Sequence, residues 1–252
     1  MEKRGRRLRD GRATISTQEC DGRIVCRVGG PSIDAELVRT ALGGPGTVLD
    51  TAWISAAAPA PAAVLLALRL ELAAPTVVAM LRAGNLRDHS NEVAFPGGKP
   101  EVGDASLLAT ALRESREEVG LGGDDVEFLG TLSAVPVITG KYLIHPHVAV
   151  VHAGRTPHLG SAQEVARVLE VPLTDWLTGE RQWEAVKLPW RGTELLMPHF
   201  PLGDVTLFGA SAFIFHDLLR RLALTLGQAL PEPVLRETYP WGDRYAKHRG
   251  GP

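Results

Sequence analysis

The stretch FPGGKPEVGDASLLATALRESREEVGL, Phe95 to Leu121, places three carboxylates, Glu114, Glu117 and Glu118, just downstream of a Gly-Gly turn. Ala105 to Val119 has helical character: at about 100° per residue Leu108, Leu112, Ser115 and Val119 gather on one side, and the three carboxylates fall within an arc of about 100° away from it. Glu114 stands at i, i+3 and i+4 to the other two, where like charges cost a few tenths of a kcal/mol per pair. Either this is a solvated charged face, partly offset by Arg113 and Arg116, or a cation sits among the carboxylates. The approach to the helix favours the cation. Gly97 and Gly98 let backbone come close to a ligand and offer bare carbonyl and amide groups. Gly120 ends the helix directly after the carboxylates. Hard divalent ions such as Mg²⁺ take oxygen ligands of this kind, together with substrate phosphate and water.

Outward from this segment, AAVLLALRLEL and PTVVAMLR, starting at Ala62 and Pro75, are two apolar runs with the spacing of paired strands. Downstream strands are predicted at Val126–Ala134, Leu143–Val151, Val165–Val171, Trp183–Lys187 and Glu194–Met197, followed by a helix from about Gly209 to Leu226. Strands, a helix, more strands and a final helix make an α+β arrangement. Upstream, residues 1–60 hold a basic start, a strand-like run Gly22–Val28, a helix Ile33–Leu42 and the stretch AAAPAPAA, which has linker or surface-loop composition. They read as an N-terminal extension. Residues 61–228 form the main domain, and 229–252 a Pro-, Gly- and charge-rich tail, partly ordered at best.

The composition is that of an ordinary soluble globular protein, 44% hydrophobic and 22% charged. With 27 Lys plus Arg against 29 Asp plus Glu, the charge of −2 gives no reason to expect nucleic-acid binding. A small molecule is the expected partner, and a homodimer stays open. Cys20 and Cys26 fit neither a zinc pair nor a redox pair, which suits a reduced, cytoplasmic protein. The basic start has no apolar run behind it, so it lacks the form of a secretory signal. The most apolar region, Ala56–Ala83, is broken by prolines and charges, so no membrane span is expected.

Gly98, Arg113, Glu114, Glu117, Glu118, Gly120 and Leu121 match the leading glycine and the ending R-E-x-x-E-E-x-G-(apolar) of the Nudix box, and the chain resembles the Nudix hydrolases, which act on nucleoside diphosphates linked to another group. One more residue separates Gly98 from Arg113 than in the generic box, and Asp104 stands at the generic Glu position. The longer spacing and the run TALRE, Thr110–Glu114, are similar to the coenzyme A branch. That branch carries the upstream motif LLTxR-(S/A)-x3-R-x3-G-x3-FPGG. Arg82, Ala83, Arg87 and Phe95–Gly98 match it in register, while Val78, Ala79 and Met80 replace Leu-Leu-Thr and Asn91 stands at the Gly. Glu164–Leu173 and Leu207–Leu219 resemble the later strand and last helix of the same branch.

This resemblance implies a Nudix α/β/α sandwich with a mixed β-sheet, plus the N-terminal extension. It implies a pyrophosphohydrolase using Mg²⁺ or Mn²⁺ on coenzyme A or an acyl derivative. ADP-ribose, NADH or a nucleoside triphosphate is the alternative substrate, and a non-catalytic nucleotide sensor is the rival from another class. Glu114, Glu117 and Glu118 would hold the metal, with the Gly98 carbonyl as a further ligand. Arg113 would either pair with a loop carboxylate, Glu101 or Asp104 being the candidates, or touch substrate as a catalytic residue. The proton acceptor for water would be Glu117 or Glu164, and Glu164 reads equally as a surface loop acid. Arg82 and Arg87 would bind phosphate, since guanidinium suits bidentate phosphate contacts, or else serve as strand-edge charges. His145 and His147 alternate on a strand and share a face. No third ligand is evident near them, so a surface or substrate-loop role is expected. Phe213 and Phe215 are expected to pack the core of the last helix, and Trp241 and Tyr245 are uninformative.

Overall fold

The computed structural model describes residues 15–20, 23–28, 31–44, 59–72, 74–84, 91–137, 139–190 and 193–238. Arg87, Trp241, Tyr245 and the basic start lie outside them.

The chain opens with an antiparallel hairpin, β1 (Ile15–Cys20) and β2 (Arg23–Val28), and then α1 (Ala35–Gly43). Asp34 caps α1 by accepting from the Leu37 N–H. The two apolar runs become β3 (Ala60–Arg69) and β4 (Thr76–Arg82), and the FPGG region adds β5 (Val93–Ala94) and β6 (Gly97–Gly98). The acidic helix is α2 (Leu107–Val119), followed by β7 (Val126–Thr131), β8 (Val135–Pro136), β9 (Tyr142–Val151) and β10 (Val165–Pro172). The remainder is α3 (Thr174–Thr178), β11 (Glu184–Trp190), β12 (Thr193–Pro201), β13 (Thr206–Leu207), α4 (Gly209–Thr225) and β14 (Val234–Arg236).

A mixed central sheet runs β10-β4-β3-β9-β7, with β5 on β4, β6 on β3 and β8 on β9. Among the described residues its one parallel pairing is β3 with β9. Both faces are covered, which explains why β3 and β4 read as near-continuous apolar runs. Ala63, Leu65, Ala67, Val78 and Met80 face α2 through Ala111 and Val119. The alternating Leu66, Leu68, Val77 and Ala79 face the opposite core, built from α1, α4 and a second sheet of order β13-β12-β11-β14. This is the α/β/α sandwich expected from the sequence. α1 belongs to that core, with Val38 and Ala41 buried in it. Buried Arg221 on α4 pairs with Asp217 and donates to the carbonyls of Leu42 and Gly44 at 3.1 and 3.0 Å. Phe215 fills the same core, 4.8 Å centroid to centroid from Phe200, and the partly buried Phe213 packs against it.

Four details differ from the sequence reading. The Pro-rich stretch is a strand from Ala60 onward: Ala60 donates to the O of Lys141, the residue before β9, so the next residue, Pro61, turns its missing N–H away from that partner. The expected strand Val126–Ala134 stops at Thr131, and pairing with β9 resumes at Val135 as β8. The short α3 and the strands β1, β5, β6 and β13 were not anticipated. The tail contributes β14, parallel to β11, where Trp183 donates its indole N–H to Pro231 O at 2.6 Å and Val234 donates to Trp183 O. Among the described residues no helix is long and apolar enough to cross a membrane.

Candidate active site

The FPGG run is drawn between both cores. Phe95 is buried against Phe215 on the α4 side, Pro96 O accepts from Leu65 N, and Gly97 and Gly98 pair with Val64 and Ala63 of β3. A Cβ on Gly97, whose φ is +157°, would lie 2.2 Å from Ala63 O. A Cβ on Gly98 would lie 2.2 Å from Glu114 Oε1. Gly97 therefore lets this edge lie closely on β3, and Gly98 lets it touch the acidic helix directly.

α2 begins at Ser106, whose hydroxyl accepts from Ala109 N, and ends at Gly120, which adopts the left-handed cap with φ +71°. Its buried residues are Thr110, Ala111, Ser115, Glu118 and Val119. Glu118 is thus a correction to the expected acidic face, being only 2% exposed. Glu118 follows Ala111 by seven residues, two near-complete turns, and so shares its face; the β3 and Gly97 strand edge packed over that face is what buries it. Its Oε2 accepts from Gly97 N at 2.9 Å, and Oε1 lies 3.8 Å from Arg82 Nη1. Burial pushes the Glu118 carboxyl up to about 8, against the opposing pull of the Gly97 N–H and Arg82, while Glu114 and Glu164 push it further up. Burial likewise raises the Glu114 carboxyl, with Arg113 opposing and Glu117 and Glu164 adding to the rise. Glu164 therefore stands close enough to both helix carboxylates to repel them.

Arg113 bonds Asp104 through Nε and Nη2 at 3.2 and 3.1 Å, and Nη2 also donates to Lys99 O. Its Nη1 lies 3.1 Å from Glu114 and 3.5 Å from Glu117. Asp104 accepts from Thr110 and from the Glu101 N–H as well, and the Arg113 fork holds its carboxyl at about 2. Of the two loop acids expected as partners of Arg113, Asp104 takes the role. Glu101 contributes its backbone N–H to Asp104 instead.

Among the described residues no three His, Cys, Asp or Glu side chains are already gathered as a metal cage. The bonding explains this: Arg113 engages Glu114 and Glu117, while Glu118 turns to Gly97 and Arg82. The donor set still fits a hard divalent ion. It is all oxygen, it includes the bare Gly98 strand edge against Glu114, and burial holds the Glu114 and Glu118 carboxyls above their ordinary range, a shift that a cation bound among them would reverse.

Arg82 ends β4 opposite Val165 of β10, and its Nε is buried without a hydrogen-bond partner. Asn91 donates its N–H to Arg82 O and has φ +58°, the only positive φ at a non-glycine among the described residues. The motif position that calls for glycine is thus a left-handed one, and asparagine is among the few residues that tolerate it. The departure preserves the backbone.

His147 is 8% exposed, with both ring nitrogens unpartnered and Phe128 6.0 Å away. Burial lowers its pKa and that of His145. The surface role expected for the pair fails at His147. The parallel register of β9 on β3 buries it, which sequence alternation does not reveal. Gly160, packed on the C-terminal turn of α2, is a site-adjacent residue that sequence reasoning missed; no local signal marked it.

A NUDIX domain model matches residues 59–190. A Photorhabdus laumondii protein called an uncharacterized Nudix hydrolase NudL is 34% identical over 147 residues, spanning 58% of this chain and 77% of that one. A NudL of the same description from Yersinia pestis is 42% identical over 106 residues, 42% of this chain and 52% of its own length. Solved structures with similar folds include the M. smegmatis Nudix hydrolase RenU, at 20% identity and TM-score 0.37, covering 46% of this chain and 72% of that one. The NUDIX domain of Shewanella oneidensis NrtR complexed with ADP ribose is also 20% identical, at TM-score 0.39, covering 48% and 78%.

Proposed function

Because this chain belongs to the Nudix family of pyrophosphohydrolases, we propose that it hydrolyses the diphosphate bond of coenzyme A or an acyl-coenzyme A in the cytoplasm. The products are adenosine 3',5'-bisphosphate and (acyl-)phosphopantetheine. The observation that carries the substrate reading is the strand end at Arg82. Its guanidinium reaches Glu118, keeps a buried Nε in want of an acceptor, and is followed by the Asn91 turn in register with the coenzyme A motif.

Nudix hydrolases generally use divalent metal ions, and Glu114, Glu117, Glu118 and the Gly98 carbonyl are the groups that would hold Mg²⁺ or Mn²⁺ here. Bound divalent ions neutralise diphosphate oxygens and acidify water. The protein's own groups do the rest. Arg113 tethers the helix carboxylates to the Lys99–Asp104 loop, so the strand edge and the helix hold one geometry. Arg82 binds a phosphate oxygen through Nε and its terminal nitrogens. Arg87, from the same motif, adds a second phosphate contact. The Glu164 carboxylate accepts the proton of the attacking water, with Glu117 as the other candidate.

The test is product analysis by mass spectrometry after incubation with Mg²⁺ or Mn²⁺ and coenzyme A, dephospho-coenzyme A, ADP-ribose or NADH separately. Fast cleavage of coenzyme A with little of the dephospho form is expected. Preference for ADP-ribose or NADH retains the Nudix chemistry and overturns the substrate. No hydrolysis of any of them points to a nucleotide sensor.

A further inference from the structure

Between β9 and β10 the chain crosses the C-terminal turn of α2. His158 donates its N–H to Val119 O at 3.0 Å, and Gly160 donates to Glu118 O at 3.1 Å. These carbonyls belong to the last turn of the helix, where no intrahelical donor is available. The approach is close enough that a Cβ on Gly160 would sit 2.1 Å from Glu117 O, and one on Gly120 would sit 2.1 Å from the His158 ring. Past Gly160, Ser161 O accepts from both Glu164 N and Val165 N, and Glu164 O accepts from Ala83 N at 2.8 Å. The loop is thus pinned at one end to the residues bearing the helix carboxylates and at the other to the strand end bearing Arg82. Glu164 is itself the residue at the second pin, four residues beyond Gly160.

We propose that Gly160 is a positioning residue: its N–H on the Glu118 carbonyl and its bare Cα against the Glu117 carbonyl staple the loop to α2 and hold Glu164 over the helix carboxylates. This rests on the assignment of Glu164 as proton acceptor. Gly160 has no left-handed φ to satisfy, so the requirement is close approach alone. An alanine methyl needs about 1 Å more room than the loop leaves, and a displacement of that size at a reacting group costs on the order of 10²-fold in rate.

The experiment combines amide hydrogen exchange with kinetics on wild type, Gly160→Ala, Glu164→Gln and the double variant. In the wild type the His158 and Gly160 amides should exchange as slowly as the last turn of α2; fast exchange there overturns the staple whatever the variants do. Gly160→Ala should speed exchange across 156–165 while β3 and β4 stay protected, and lower kcat about 10- to 100-fold with KM changed less than about 3-fold. In the Glu164→Gln background the same change should cost nothing further, because it acts through the lost carboxylate. Multiplying effects, or a normal kcat in Glu164→Gln beside a slow Gly160→Ala, overturn the inference. A wild type that hydrolyses no diphosphate overturns the hydrolase reading instead, and the exchange result still decides the staple.

Discussion

Glu117 and Glu118 are adjacent in sequence and opposite in environment. The Glu117 side chain is 55% exposed and touched by Arg113, whereas Glu118 is buried against Gly97 and Arg82. Glu117→Gln should therefore lower kcat at least about 100-fold with the unfolding midpoint unmoved, because an exposed substitution contributes little to stability. Steady-state kinetics and a urea titration on one preparation check both halves. Glu118→Gln is the contrast: it sets an amide NH2 among the donors Arg82 and Gly97 N–H in a dry site and removes the group's ability to ionise toward a cation, so stability and activity fall together. The identity of the three glutamates was legible in the sequence, since motif and spacing name them. Their inequality was not, because it depends on which way the strand edge at Gly97 leans against the helix.

At the scale of elements, α2 is a helix whose two ends are fastened by different means. The Ser106 hydroxyl closes the first turn locally, and Ser106→Ala should cost about 1 kcal/mol in urea unfolding with kcat little changed. The other end is closed by the αL cap at Gly120 and by N–H groups from the loop forty residues on. Local caps lie within a short sequence window: Gly120 reads there as the helix end, whereas the expected helix starts at Ala105 and the Ser106 cap starts it at Leu107. A non-local cap leaves no such trace. The strands show the same division. β3 and β4 are long apolar runs and β9 and β10 are long strand-like stretches, all legible as such, but β5, β6 and β13 are two-residue pairings that exist only because a longer strand lies beside them.

For the whole molecule, the second sheet is joined to α4 by an aromatic cluster. Phe200 meets Trp176 at 5.2 Å, Trp183 at 6.0 Å and Phe215 at 4.8 Å, centroid to centroid, and is fully buried. Phe200→Ala should cost about 3–5 kcal/mol and lower the thermal midpoint by several degrees, as calorimetry would show. His216 lies in the same region, 4.7 Å from Trp183, where burial lowers its pKa to about 4 despite Asp217 nearby, with Arg220 adding to the lowering. A histidine whose folded pKa lies below its unfolded value near 6.5 must lose stability on acidification. Its contribution should be complete above pH 6.5 and fall away toward pH 4, by up to about 3 kcal/mol. Urea midpoints from pH 7 to 4 should fall through that window, and in His216→Gln the decline should be shallower.

By itself the sequence determined the long strands, the acidic helix and its end at Gly120, and the residue types suited to a divalent ion and a phosphate. These follow from local periodicity and from short motifs, where the informative residues are near neighbours on the chain. The tertiary structure decided what depends on distant segments meeting. It buried Glu118 and His147, gave Arg113 to Asp104 rather than Glu101, added β14 to the second sheet, and brought Glu164 to the helix carboxylates. A side chain's burial and partners are set by whatever packs over it, and no spacing along one chain specifies that.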